Sequence, residues 1–235
     1  MIAIYLAPLY LLLNAYFLFR ILKWLETCHV HFKKKWIKAV LIMIYAFFAF
    51  SILTAFLLPQ GTMRRVMKLI SNYWLGVLMY LALTVIIADL IRLILIYLVK
   101  ADQEKFRTPK VFRLVGCICL ILILSTSLYG VYNARNIRTT SYHVTIHKKA
   151  GNHKKLKIVL LADLHLGYNI GCSQIKQMVT KVNKQNPDLI VIAGDIFDNE
   201  YDALDDPKQL IKTFRQLKSK YGVYAVCLLY TSDAA

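Results

Sequence analysis

Four long apolar segments fill most of the first 132 residues, and they limit what this chain can fold into more than any other feature. They run over 2–19, 37–58, 73–99 and 111–132. Each approaches or exceeds the ~20 residues an α-helix needs to cross a bilayer. In lipid the backbone must satisfy its own polar groups, so a segment of this kind spans as a helix. The first segment lacks the basic leader and small-residue cleavage site of a signal peptide, so it reads as a retained span. Pro59-Gln-Gly61 ends the second, the third is long enough to tilt, and Arg113 can snorkel at the end of the fourth. The predicted organisation is a four-helix membrane region over 1–132, followed by an α/β domain over 133–226.

Charge supplies an orientation. Eleven Lys and Arg flank the loops after the first and third segments, against seven in the loop after the second and the stretch just after the fourth. By the positive-inside rule, both termini are expected outside. The cell membrane is then the expected location, with the second domain facing away from the cytoplasm. The net charge of +17 does not call for nucleic acid, because half of the basic residues flank spans and no basic motif interleaved with aromatics is present. The lysines at 148–149 and 154–155 suit anionic head groups better. Five cysteines give no disulfide framework. Cys28-His29-Val30-His31 precedes three lysines and reads as an interfacial loop. Asp89 and Arg92, three residues apart within the third span, share a helix face and can pair; a functional role at that depth and a structural ion pair between packed helices are equally open readings.

The chemistry lies further on, in two apolar runs that each end in acids. The first is Ile158-Val-Leu-Leu-Ala-Asp163-Leu-His165, and the second is Leu189-Ile-Val-Ile-Ala-Gly194-Asp195-Ile-Phe-Asp198. Each reads as a buried strand. Between them Ser173 to Lys184 carries Ile175, Met178, Val179 and Val182 at helical spacing. A strand, helix and strand in this order make a right-handed parallel unit, whose ligands gather beyond the carboxyl ends of its strands. Asp163 and Asp195 would meet there, with His165 two residues on. Two carboxylates and an imidazole suit Mn, Fe or Zn. A second helix is predicted over 207–220, a third strand over 221–226, and an edge strand within 135–151, where Tyr142, Val144 and Ile146 alternate with more polar residues.

Asp163-x-His165 followed by Gly194-Asp195-x-x-Asp198 resembles the calcineurin-like metallophosphoesterases, and the preceding spans look like their membrane-anchored bacterial branch. The resemblance implies a four-layer α/β/β/α sandwich, of which this chain would hold the first βαβαβ part. It implies two divalent metal ions, with Asp163 and His165 on one, Asp195 bridging both, and Asp198 supporting them from behind. It implies a phosphate-ester substrate, possibly lipid-linked, met at the bilayer.

The chain departs from that family after its third strand. A Gly-Asn-His-Asp motif carrying the catalytic His is expected there, with further His ligands downstream. The sequence instead reads Cys227-Leu-Leu-Tyr-Thr-Ser-Asp-Ala-Ala235, which resembles a translated transposon-derived sequencing adapter. Residues 227–235 are therefore expected to be non-native and the gene to continue. No catalytic residue is expected within the chain, and the fragment is expected to be inactive. The alternative is a non-catalytic four-span membrane protein with a degenerate phosphoesterase-like domain.

Overall fold

A computed structural model describes residues 2–100, 102, 104, 106, 108–148, 155–198, 203–204 and 206–226. The expected adapter segment at 227–235 lies outside the described residues. The chain divides into two compact units, Met1–Asn133 and Ala134–Ala235.

The first unit is helical. Helix α1 spans Ile2–Cys28, α2 Lys35–Leu57, α3 Thr62–Tyr97 and α4 Pro109–Arg135. Among the described residues, α2, α3 and α4 are long and apolar enough to cross a membrane. Helix α1 covers the expected first span as one helix but stands outside that set of three. Helices α2 and α3 form the main hairpin. Ala49, Ser51 and Ala55 of α2 are buried, as are Met67, Ser71 and Leu78 of α3. Small residues of this kind let membrane helices approach closely. Trp74 stacks on Phe48 and meets Tyr45 edge-on.

Polar side chains stitch α1 to its neighbours. Tyr10 Oη donates to the Ala49 carbonyl at 2.7 Å and accepts from Trp74 Nε1 at 3.2 Å. Buried Asn14 donates to the Tyr10 carbonyl and accepts from Tyr45 Oη. Trp24 Nε1 donates to the Arg113 carbonyl at 3.1 Å, and its indole lies against Gly116, where no Cβ would fit.

Two expectations for this unit change. Helix α3 begins at Thr62, eleven residues before the predicted span. Arg64, Arg65 and Lys68 looked like loop residues, but Arg and Lys are good helix formers and continue the helix beyond its apolar run. Asp89 pairs with Arg20 of α1, not with Arg92: Arg20 Nη1 lies 2.7 Å from Oδ2, Nη2 lies 3.1 Å from Oδ1, and Tyr16 Oη joins the group. Two guanidinium nitrogens can address both carboxylate oxygens, an arrangement favoured over a single contact. Arg113 turns its Nη1 to the Thr27 carbonyl at 3.2 Å. It thereby serves an open helix end. Cys28 ends α1, His29 caps a 3-10 turn over Val30–Lys33, and the imidazoles of His29 and His31 stack.

The second unit is a three-stranded parallel sheet in the order β1 (Ile158–Leu161), β2 (Leu189–Ala193), β3 (Val223–Val226). Ile158 pairs with Leu189 and Ile190 with Val223. Helices α5 (Cys172–Lys184) and α6 (Pro207–Phe214) supply the crossovers. Each moves one strand along in the same direction, so right-handedness puts both on one face. Their stripes build the core there: Ile175, Met178, Val179 and Val182 from α5, Leu210 from α6, and Ile190 from β2, which is wholly buried. Burying one such side chain contributes about 1.5–3 kcal/mol. On the other face Leu160 is 66% exposed and Tyr224 59%.

Polar contacts set the ends of these elements. Asp206 caps α6 by accepting from Gln209 N, with Pro207 in the first turn. Asp188 accepts from Lys157 N at 2.8 Å, and its carbonyl accepts from Tyr221 N at 2.7 Å. The three strands thus start from one bracket.

Two expectations for this unit also change. Helix α6 stops at Phe214, because the chain turns to place Leu217 against the core. Lys218 N then donates to Asn183 Oδ1 at 2.9 Å. The expected edge strand is not formed among residues 134–148, and Tyr142, Val144 and Ile146 are all exposed. Alternation gives a strand two faces but no ladder partner, and here none engages it.

Candidate metal centre

The sheet delivers its acids at the carboxyl ends of β1 and β2. Asp163 lies two residues past Leu161, and Asp195 two residues past Ala193. The pairing of the two strands continues beyond their ends. His165 N donates to the Asp195 carbonyl at 3.0 Å, Leu166 N to the Ile196 carbonyl at 2.9 Å, and Asp198 N to the Leu166 carbonyl at 2.9 Å. Leu166 itself is buried and anchors this loop in the core.

The main chain is bent to make this possible. Asp163, His165 and Asp195 all adopt left-handed backbone, with φ of 52°, 42° and 47°, and Gly194 adds a fourth such turn at 75°. Each non-glycine residue held there costs about 1–3 kcal/mol and persists only where the surroundings enforce it. Here the crossed hydrogen bonds and Leu166 enforce it. Strain of this kind gathers at functional sites, and it falls on the three residues expected to be ligands.

The result is a compact donor set. Asp163, His165 and Asp195 each offer one ligand atom, and these atoms lie within 4.8 Å of one another. Asp163 and His165 are exposed and Asp195 is half-buried, so the set is open to solvent. Asp198, the fourth expected residue, sits behind it, with Oδ1 3.3 Å from His165 Nδ1. A carboxylate on one imidazole nitrogen orients the ring and leaves the other nitrogen for a metal. Two hard carboxylates and one imidazole fit a divalent Mn, Fe or Zn ion.

The sequence reading missed Gly167. A Cβ there would come within 3.0 Å of Asp198 Cβ and 3.1 Å of its Oδ2. The glycine lets the Asp198 carboxylate close on His165. The signal was available: Leu166-Gly167, an apolar anchor and a glycine, directly follows His165.

Residues 156–229 match the family model described as Calcineurin-like phosphoesterase. A transmembrane protein with metallophosphoesterase domain from Danio rerio is 31% identical over 108 residues, covering 46% of this chain and 24% of that protein. Its namesake from Bos taurus is 35% identical over 113 residues, covering 46% and 25%. An uncharacterised metallophosphoesterase from Campylobacter jejuni is 33% identical over 137 residues, covering 58% and 34%. The chain thus spans about a quarter to a third of the length of these curated relatives, which are animal as well as bacterial. No solved structure matches it. Residues 156–229 are thus similar to a calcineurin-like phosphoesterase segment, and they follow a helical region with three apolar candidate spans among the described residues.

Proposed function

We propose that this chain is the membrane-anchoring and first metal-binding part of a phosphoesterase that hydrolyses phosphoric esters or pyrophosphates. The observation that carries this reading is the convergence of Asp163, His165 and Asp195, on strained backbone, within the segment that matches the family. Asp163 and His165 would hold one divalent ion, and Asp195 would be shared with a second. A bound ion of this type supplies a Lewis acid that polarises a phosphoryl oxygen and acidifies water. The chain's own groups do the rest. The His165–Asp198 contact fixes the imidazole, and the crossed main-chain bonds hold Asp163 and Asp195 at a set separation.

In this reading α1 joins α2, α3 and α4 as a fourth span, both termini face outward, and the phosphoesterase domain lies outside the cytoplasm. A phosphate ester at the bilayer, possibly lipid-linked, is the substrate class that location favours. Further ligands and a general acid would come from sequence downstream of Val226, so the 235-residue chain is expected to bind Mn²⁺ but to hydrolyse esters poorly.

The test is calorimetric titration of the purified chain with Mn²⁺. Asp195→Asn should weaken binding about a hundredfold, the upper end of what even supporting partners of a metal site contribute. Asp188→Asn, at the opposite end of the strands, should leave binding unchanged. Equal affinity in the wild-type and Asp195→Asn proteins would refute the assignment.

A further inference from the structure

The corner between α1 and α2 is closed by a histidine side chain. His29 N donates to the Leu25 carbonyl of α1 at 3.2 Å, and the His29 carbonyl accepts from Phe32 N at 3.2 Å. Lys34 N donates to the His31 carbonyl at 3.1 Å, and Lys34 leads into α2 without a side-chain cap of its own. The side-chain bond that closes the turn comes from His29, whose Nδ1 accepts from His31 N at 3.2 Å. The two imidazoles lie within 20° of parallel, with their Nδ1 atoms 2.7 Å apart.

These contacts fix the protons. A backbone N–H only donates, so His29 Nδ1 carries no hydrogen, and the neutral ring keeps its hydrogen on Nε2. The second contact on that nitrogen then needs a hydrogen on His31 Nδ1. His31 can take up a further proton on Nε2 and still donate. His29 cannot: its free nitrogen is the acceptor, and a proton there sets one N–H against two others. The pair has room for one added proton but not for two, and its titration belongs to both rings together.

The surroundings are mostly cationic. Lys33, Lys34 and Lys35 follow the pair and are exposed. Glu26 of α1 is paired with Lys38 of α2 across the corner, and Lys23 acts on the same carboxylate. From α4, Arg113 reaches the Thr27 carbonyl, and Cys117 acts on Cys28. Glu, Lys and Arg ordinarily titrate outside the range in which histidine changes charge, about pH 5 to 8, and a thiol is already protonated over the acid half of it. The charge that changes at this corner in that range is therefore the histidines' own.

We propose that His29 and His31 form an acid-sensitive catch, closed while His29 is neutral and opened when both rings are protonated, which frees the turn Val30–Lys33 between α1 and α2. The contribution of the catch is complete at the upper end of the range and is lost as the pH falls. It is independent of Asp163, His165 and Asp195 and of any metal bound there.

The full chain, labelled with ¹⁵N in detergent micelles, is followed by solvent-exchange NMR between about pH 7.5 and about pH 5. Each rate is taken relative to an unstructured peptide at the same pH. Protection of the His31 and Lys34 amides should fall about tenfold, the usual worth of a side-chain cap. The Leu58 amide, bonded to the Thr54 carbonyl at the far end of α2, should keep its protection. His29→Asn places a non-titrating acceptor at the cap and should stay protected throughout. His31→Phe leaves His29 as the cap but gives the first proton no other ring, so the loss should move to higher pH. Unchanged protection of the wild type, or the same loss in His29→Asn, would overturn the proposal. Should His29→Asn be unprotected already at the upper pH, His31→Phe decides, and a loss there at the wild-type pH overturns the proposal as well.

Discussion

The two units of this molecule use the same side chains in opposite ways. In the helical unit Leu57 and Leu12 point outward and are about 70% exposed, at 74% and 69%, while Asn14, Ser51 and Ser71 are buried. In the sheet unit Ile190 and Ile192 are buried, and Thr213 is the buried polar side chain among its described residues. A helix in lipid gains little by hiding leucine, so its partners are chosen by close packing and polar stitches. A sheet in water is held by the apolar area it removes from solvent. The difference teaches that exposure has to be judged against the surrounding solvent. In the proposed reading Leu57 would face lipid, which suits it, whereas Leu160 and Tyr224 lie exposed on the open face of the sheet.

The comparison breaks most visibly in the sheet. Ile190→Ala should remove about 2–5 kcal/mol. Hydrogen exchange should show the amides of 189–193 losing roughly two orders of magnitude of protection, with α2 and α3 unchanged. If the helices loosened equally, the two units would be one cooperative body.

A smaller effect sharpens the other side. Arg20→Gln should destabilise the helical unit by about 1–2 kcal/mol, the upper range for polar contacts between membrane helices. Adding Asp89→Asn should restore part of that loss, because it removes the charge left behind. Thermal unfolding in detergent reads both. A double variant worse than the sum of the singles would sink the pairing.

Next comes Gly167→Ala, which should lower Mn²⁺ affinity about tenfold by pushing Asp198 away from His165, with the circular dichroism spectrum unchanged. Unaltered affinity would show that Asp198 does not orient the imidazole. The smallest effect belongs to Leu57→Ala, which should shift stability by under about 0.5 kcal/mol. A large loss there would mean that Leu57 is covered by something other than lipid.

How far this could be read in the sequence follows from the range of the forces involved. Strands β1 and β2 were legible, because Ile158 to Leu161 and Leu189 to Ala193 are short apolar runs bounded by polar residues, and Ile175, Met178, Val179 and Val182 named the crossover helix between them. Asp163, His165 and Asp195 were legible as a set because position along a strand fixes where its end points. The partner of Asp89 was not: Arg20 lies 69 residues away, and only packing brings it close, whereas Arg92, a neighbour on the same helix face, is visible in the sequence. The start of α3 was hidden because arginines after a Pro-Gln-Gly turn look like a loop whether or not they are helical. Tyr142, Val144 and Ile146 misled in the opposite sense, since alternation describes one strand and says nothing of a neighbour.

The crossed main-chain bonds at the candidate metal centre have a consequence for redesign. The segment 165–198 is registered by backbone groups, His165 N to Asp195 O and Leu166 N to Ile196 O, while the donor atoms belong to side chains. Frame and donors are therefore separable variables. An exchange such as His165→Asp, in which the new residue still tolerates a left-handed backbone, would harden the donor set toward magnesium or calcium without rebuilding the loops. Ion preference at this sheet edge is then adjustable one side chain at a time.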